Sequence, residues 1–340
     1  MRKKLIYLLF LLILFSSCEE YYTPSIDTID GQLVVESQIT NNPSNNFVHL
    51  TKALSFYDKN QPGVVTGAVV ELVDINDKIE YGTESSPGYF NFTKIPETGK
   101  NYKLRIFYQN DTYESEIVTM PPLPTILANY SGSKVKRIYK LDSFGAMKLN
   151  EIEGRDIYID APVTDTLSYY RFSTRLILEW IIEQYPPIYG WKSYYENANF
   201  NIAGPKTFSK TVEIEKHTLS WLAYDSKYYM IADNTYLAGW ILIVDQYGTS
   251  KGSFDYHEKL NSQFAANGSL FDPIQTQIYG NINCITDPAK IVYGYFDLDS
   301  YRQYRYFTKN NNQEDGTKLK QIFRYPYIID NGEGKPDWWE

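Results

Sequence analysis

The stretch 101-NYKLRIFYQNDTYESEIVT-119 decides the fold. Tyr102, Leu104, Ile106 and Tyr108 alternate with Lys103 and Arg105, a period of two that sends one set to a core and the other to water. The Asn110-Asp111 step reads as a compact hairpin turn, and Thr112–Thr119 brings the chain back. The same alternation recurs upstream. Gln32–Thr40 groups Leu33, Val35 and Ile39 against Glu36 and Gln38. Phe47–Phe56 groups Val48, Leu50 and Leu54, and Val65–Asp74 aligns Ala68, Val70 and Leu72. Short runs follow at Lys78–Gly82 and Gly88–Thr93, with Asp74-Ile75-Asn76-Asp77 reading as a turn between strands. Seven short strands predict an immunoglobulin-like or transthyretin-like β-sandwich over residues 31–120.

Met120-Pro121-Pro122-Leu123-Pro124 interrupts the pattern, because proline cannot donate to a ladder and stiffens the chain. A domain boundary is expected there. A second β-rich domain, 125–340, shows strands at Asp156–Asp160, Tyr169–Trp180, Thr211–Glu215, Gly239–Gln246 and Ile291–Leu298. One short helix interrupts them. Ser253 reads as its N-cap, Asp255 lies in its first turn, and Tyr256, Leu260 and Phe264 share a face before the Asn267-Gly268 stop. The fold class is therefore mainly all-β, in two domains.

The chain starts with Arg2, Lys3 and Lys4, an apolar run from Leu5 to Phe15, and Ser16-Ser17-Cys18. A basic head, a short apolar stretch and small residues describe a secretory signal over 1–17. The run is too short to cross a bilayer core, which needs about 20 residues. A Cys after two small residues is similar to a bacterial lipobox, which implies lipidation of Cys18; residues 18–30 then form a polar tether. Each acyl CH₂ buried in lipid contributes about 0.8 kcal/mol.

Losing residues 1–17 leaves 30 Lys and Arg against 41 Asp and Glu. That acidic balance argues against nucleic acid as a partner, since binding its phosphates needs clustered Lys and Arg. It also argues against a body lying flat on an anionic membrane. With Cys18 acylated, Cys284 has no partner for a disulfide and reads as a small buried apolar residue. The 32 tyrosines suit half-buried strand surfaces.

Several segments together resemble a known family: GQLVVESQIT (31–40), VTGAVVELVD (65–74), PGYF (87–90), TGKNYKLRI (98–106), FDYHEKLNSQF (254–264), GSLFDP (268–273), YGNI (279–282) and IVYGYFDLDS (291–300). In this order, behind a lipobox, they resemble the Bacteroidota outer-membrane lipoproteins grouped as a domain of unknown function (DUF4249), often encoded beside TonB-dependent transporters. The resemblance implies an outer-membrane location and partnership with a TonB-dependent β-barrel transporter. It implies no chemistry, and nothing is carried over to the final 40 residues.

Catalytic motifs are few: no HExxH, CxxC, Walker loop or GxGxxG occurs, and the one GxSxG spelling is Gly248-Thr249-Ser250-Lys251-Gly252. The three histidines, His49, His217 and His257, have no ligand spacing and read as structural or solvated. Asp297 and Asp299, two apart in a strand, share a face and are weak candidates for a hard cation. The run Asn311, Gln313, Asp315, Gly316 opens like a calcium loop but meets Ile322 where a bidentate Glu belongs. No cofactor is expected.

The candidate binding residues are Tyr185, Tyr189, Trp191, Tyr194 and Tyr195, read as an aromatic loop with Pro and Gly. Exposed rings there suit a protein partner or sugar stacking, and buried rings would instead fold the loop onto its own sheet. The sequence thus predicts a lipid-anchored, outward-facing, non-catalytic accessory of a transporter, with a periplasm-facing anchor as the alternative orientation. A surface polysaccharide hydrolase and a structural or adhesive envelope protein are the alternative functions.

Overall fold

A computed structural model describes residues 31–54, 62–74, 76, 78–141, 144–182, 188–195, 200–205, 213–224, 235–265, 277–309 and 320–321. The first half holds β1 (Leu33–Thr40), β2 (Phe47–Lys52), β3 (Gly63–Val64), β4 (Val69–Asp74), β5 (Ile79–Tyr81), β6 (Thr83–Ser86), β7 (Tyr89–Asn91), β8 (Asn101–Tyr108), β9 (Asp111–Ser115) and β10 (Val118–Thr119). Longer strands follow: β11 (Ala128–Leu141), β12 (Met147–Pro162), β13 (Tyr169–Ile182), β14 (Ile188–Tyr195), β15 (Asn201–Ala203), β16 (Glu213–Ala223) and β17 (Thr235–Thr249). Helix α1 (Lys251–Phe264) leads to β18 (Ile282–Cys284), β19 (Tyr293–Tyr295), β20 (Leu298–Lys309) and β21 (Lys320–Gln321). The protein is mainly β, as the alternation predicts.

The alternation places the first core. Leu33, Val35, Ile39, Val48 and Leu50 from one sheet meet Val70, Leu72, Tyr102, Leu104, Ile106 and Tyr113 from another in a single apolar cluster. The outward faces carry the charges. On the β4–β8–β9 ladder Arg105 bonds Glu114 at 2.6 Å and Glu71 at 3.3 Å, and Lys103 reaches Glu114 at 2.9 Å. Such cross-strand pairs support the register modestly. The hairpin turn sits one residue earlier than expected. Tyr108 pairs with Asp111, so Gln109 and Asn110 make the turn, Gln109 at φ +56°. The Asp74 turn is as read: its Oδ1 accepts from the amides of Asn76 and Lys78.

The chain comes back to complete this first core. β18 pairs with β9, β19 runs parallel to β1, and β20 begins parallel to the end of β1. Ile282, Cys284, Val292, Phe296 and Leu298 join the first apolar cluster. A contiguous unit over 31–120 does not include this returning segment. Cys284 is a buried free thiol within it. Two glycines permit the approach. A Cβ on Gly294, at φ +93°, would overlap the Val35 carbonyl oxygen, and one on Gly280 would overlap the Gly294 carbonyl. Only a residue without a side chain allows two backbones so close. Ile291–Leu298 is consequently two strands with a break after Tyr295, where one was expected.

β20 continues beside β17, β17 beside β13, and β13 beside β14, so one sheet runs β14-β13-β17-β20-β1-β2-β7-β6 through both halves. A three-stranded sheet, β11-β12-β16, faces part of it. Between them lies a second cluster containing Ile157, Ile159, Tyr170, Leu176, Leu178, Leu219, Trp221, Leu222, Trp240, Leu242 and Val244.

Candidate functional site

Helix α1 stands where the two halves join. Ser250, not Ser253, is its N-cap and accepts from the Ser253 amide at 3.1 Å. Ser253 is thereby turned inward, one turn below His257, and both are buried. The predicted Asn267-Gly268 stop lies outside the described residues.

Beneath the helix is a buried polar junction. Ser253 Oγ donates to Asp297 Oδ1 at 2.5 Å, and His257 Nε2 lies 3.6 Å from Asp297 Oδ2. Asp299, fully buried, accepts from Arg171 Nη2 at 2.8 Å, and the Arg171 guanidinium covers the Tyr247 ring at 4.2 Å. Ser37 from β1 donates to the Tyr295 carbonyl and accepts from the Asp297 amide. Burial, reinforced by the neighbouring Asp299 charge, pushes the Asp297 carboxyl up to about 6, against the pull of His257, Arg171 and Ser253.

Ser, His and Asp converge here, yet the proton arrangement is wrong for nucleophilic catalysis. His257 Nδ1 faces its own helix carbonyl, Ser253 O, at 2.9 Å, and a carbonyl only accepts, so Nδ1 carries the proton. That nitrogen cannot take the Ser253 proton, which is directed at Asp297 instead. A triad needs the serine to donate to the histidine and the carboxylate to orient it from behind. The group ties α1 to the returning segment. Asp297 and the Oδ2 of Asp299 meet protein partners, Asp299 Oδ1 has none among the described residues, and no group of three or more described His, Cys, Asp or Glu could hold a metal. The calcium-like run from Asn311 lies outside the described residues.

Beside the junction opens a groove of about 840 Å³. Its walls come from β13, β15, β16, α1 and Lys136 of β11. Phe200 and Phe264 form an exposed aromatic rim, ring centroids 6.4 Å apart. Lys136 Nζ lies 4.6 Å from the Trp221 ring. No carboxylate occurs among the described lining residues. On the floor, Asn201 Nδ2 donates to the carbonyls of Thr218 and Leu219, which turns its Oδ1 toward His217 Nε2 at 2.5 Å. His217 must donate there, and burial holds its ring down at about 4, so it is neutral at pH 7. Three buried polar atoms of the lining, Arg171 Nε, Ser220 Oγ and Asn261 Oδ1, have no partner among the described residues. Buried polar atoms are nearly always bonded, so these atoms mark a place that accepts a polar guest or water.

The aromatic segment is placed differently from the expected loop. Residues 188–195 form strand β14, paired with β13 at the end of the long sheet. Tyr189 and Trp191 lie in that strand opposite Ile181 and Glu179. Tyr194 packs on the second core, while Tyr195 is exposed, with the Arg175 guanidinium 5.8 Å over its ring. Neither Tyr194 nor Tyr195 lines the groove. Tyr185 and Cys18 lie outside the described residues. The structural reason for the correction is β13, whose residues 175–182 supply a ladder partner to each of residues 188–195.

Sequence reading missed the groove because its polar residues come from five separate elements and form no motif. One signal was visible: Arg171 stands between Tyr170 and Phe172 in the strand Tyr169–Trp180, and a charge buried there demands a partner.

The model of the family described as Domain of unknown function (DUF4249) matches residues 19–305. The chain belongs to this family. No curated protein and no solved structure matches it. In this DUF4249 member the matched span includes the glycine contact at 280 and 294, the buried junction and the described groove lining. It ends at residue 305, inside β20.

Proposed function

We propose that this DUF4249 member is a lipid-anchored, outward-facing, non-catalytic binding protein of the outer membrane, working beside a TonB-dependent β-barrel transporter in nutrient capture. The anchor half of this reading rests on Ser16-Ser17-Cys18. The binding half rests on one observation: the open groove with an aromatic rim, a lysine at its wall, unpartnered Ser220 and Asn261 atoms, and no described carboxylate. Such a lining suits a neutral or anionic polar guest with an apolar face. Strand β14, at the sheet's end with Tyr195 exposed, is the surface offered to the transporter. The Ser253–His257–Asp297 cluster supports the non-catalytic part, since Ser253 donates to Asp297 and the His257 Nδ1 that it faces at 3.4 Å already donates to the Ser253 carbonyl.

The test is co-purification from detergent-solubilised outer membrane, with intact-mass measurement of the recovered chain. A β-barrel partner in near-equal amount and an acylated Cys18 are expected. Recovery of the protein without any β-barrel would overturn the transporter assignment, and an unmodified Cys18 would overturn the anchor.

A further inference from the structure

Strands β11 and β12 pair along their whole length, from Ala128 with Asp160 to Leu141 with Met147. β16 covers β12 only over Gly154–Pro162, and β11 has no other strand neighbour among the described residues. Residues 133–153 therefore extend past the sheet as a two-stranded ribbon. A ribbon of this kind is marginal in water unless one face is covered.

Its two faces differ in chemistry. Antiparallel partners share a side, and alternate residues change side. Val135, Arg137, Tyr139, Met147, Leu149, Glu151 and Glu153 fall on one face, where Arg137 and Glu151 neutralise each other at 2.9 Å. Tyr139 is 63% exposed there and Met147 64% exposed, and Phe144 near the turn is 92% exposed. Lysine positions 134, 136, 140 and 148 alternate onto the other face, which has no acidic position among the paired residues 134–140 and 148–152. Residues 134–149 hold five cations and one acid, in a chain whose net charge is −8.

We propose that this ribbon is a second membrane contact, laying its apolar face into the interface of a bilayer with anionic headgroups. Exposed apolar area supplies the insertion and flanking lysines reach the headgroups, the combination by which interfacial segments bind. Tyrosine at that depth keeps its ring in the apolar zone and its hydroxyl wet. The opposite signs of the ribbon and of the remaining chain select the orientation: an anionic surface attracts the ribbon and repels the body. The acidic average of the whole sequence hides this, since it sums over a patch that differs from everything around it. The contact is separate from acylation at Cys18 and stands or falls without it.

The mature chain with Cys18→Ser, which removes both the anchor and its thiol, and with Met147→Cys, labelled with the environment-sensitive fluorophore NBD, is mixed with vesicles of phosphatidylglycerol and phosphatidylethanolamine, or of phosphatidylcholine alone. The same labelling of the Cys18→Ser chain without Met147→Cys gives the blank, because Cys284 is buried. Blue-shifted emission, quenched by nitroxide-bearing lipid, is expected on the anionic vesicles. A label at Tyr81→Cys, on the first half, is expected to stay aqueous. Lys134→Gln with Lys148→Gln is expected to reduce the anionic-vesicle response, at about fivefold in affinity for each lysine near the surface at low salt. Aqueous emission from position 147 on both vesicle types would overturn the proposal. So would a blue shift that needs no lipid and grows with protein concentration, which would mean that the ribbon pairs with a second copy.

Discussion

The two halves of this molecule handle the same building material differently. In the first, strands of two to eight residues close around one apolar cluster, and charges on the outer faces pair across the ladder. In the second, strands of up to sixteen residues outrun their neighbours, leaving an apolar ribbon, an open groove and an aromatic strand at the sheet's end. A closed core suits a spacer, and strands that outrun their partners suit contact. The returning segment 280–299 ties one to the other through Gly280, Gly294 and the Asp297 junction.

The largest effect that would break this comparison is at the tie itself. Gly294→Ala combines a left-handed backbone with overlap on Val35, so a loss above about 4 kcal/mol is expected, with both halves weakened together in urea denaturation. Next comes a matched pair of truncations. Leu104→Ala in the first core should cost about 3 kcal/mol, whereas Leu149→Ala on the ribbon should stay within about 0.5 kcal/mol. Equal costs would mean that the ribbon is packed like a core.

Acidity sharpens the contrast between junction and groove. Asp297 binds its proton more tightly folded than unfolded, so its contribution to stability is greatest below pH 4 and is lost as pH rises through about 6. His217 is the reverse: its contribution is present above pH 6.5 and is lost as pH falls toward about 4. The two oppose each other across the same window. Asp297→Asn should make the protein lose about 1–2 kcal/mol more than the unsubstituted chain between pH 7 and 5, and His217→Gln should make it gain by comparison. Urea midpoints at the two pH values read both. The smallest stability effect is expected for Tyr195→Ala, within about 0.5 kcal/mol, together with loss of the co-purified transporter.

How much of this was legible follows from the same contrast. The first core could be read residue by residue, because Leu33, Val35, Val48, Leu50, Leu104 and Ile106 alternate on half-buried strands. In the second half both faces of the central strands are buried: Leu176, Ile177 and Leu178, like residues 240–244 of β17, form continuous apolar runs with no period. The ribbon strand β11 was not foreseen, since SGSKVKRIYKL reads as polar when its faces are not separated. Asp297 and Asp299 stand out in the sequence only as weak cation ligands, and what they meet, Ser253, His257 and Arg171, comes from elements 40 or more residues away. Long-range pairing of that kind carries no local signature.

The division of labour between the halves is tested most directly by photo-crosslinking the protein in its native outer membrane. Probes replace Tyr195 and Phe264 in the second half, and Tyr81 and Phe107 in the first, all exposed positions. The account predicts adducts with a β-barrel transporter from Tyr195, the strand-end position, and none from Tyr81 or Phe107. Adducts from the first half, or none from Tyr195, would contradict it.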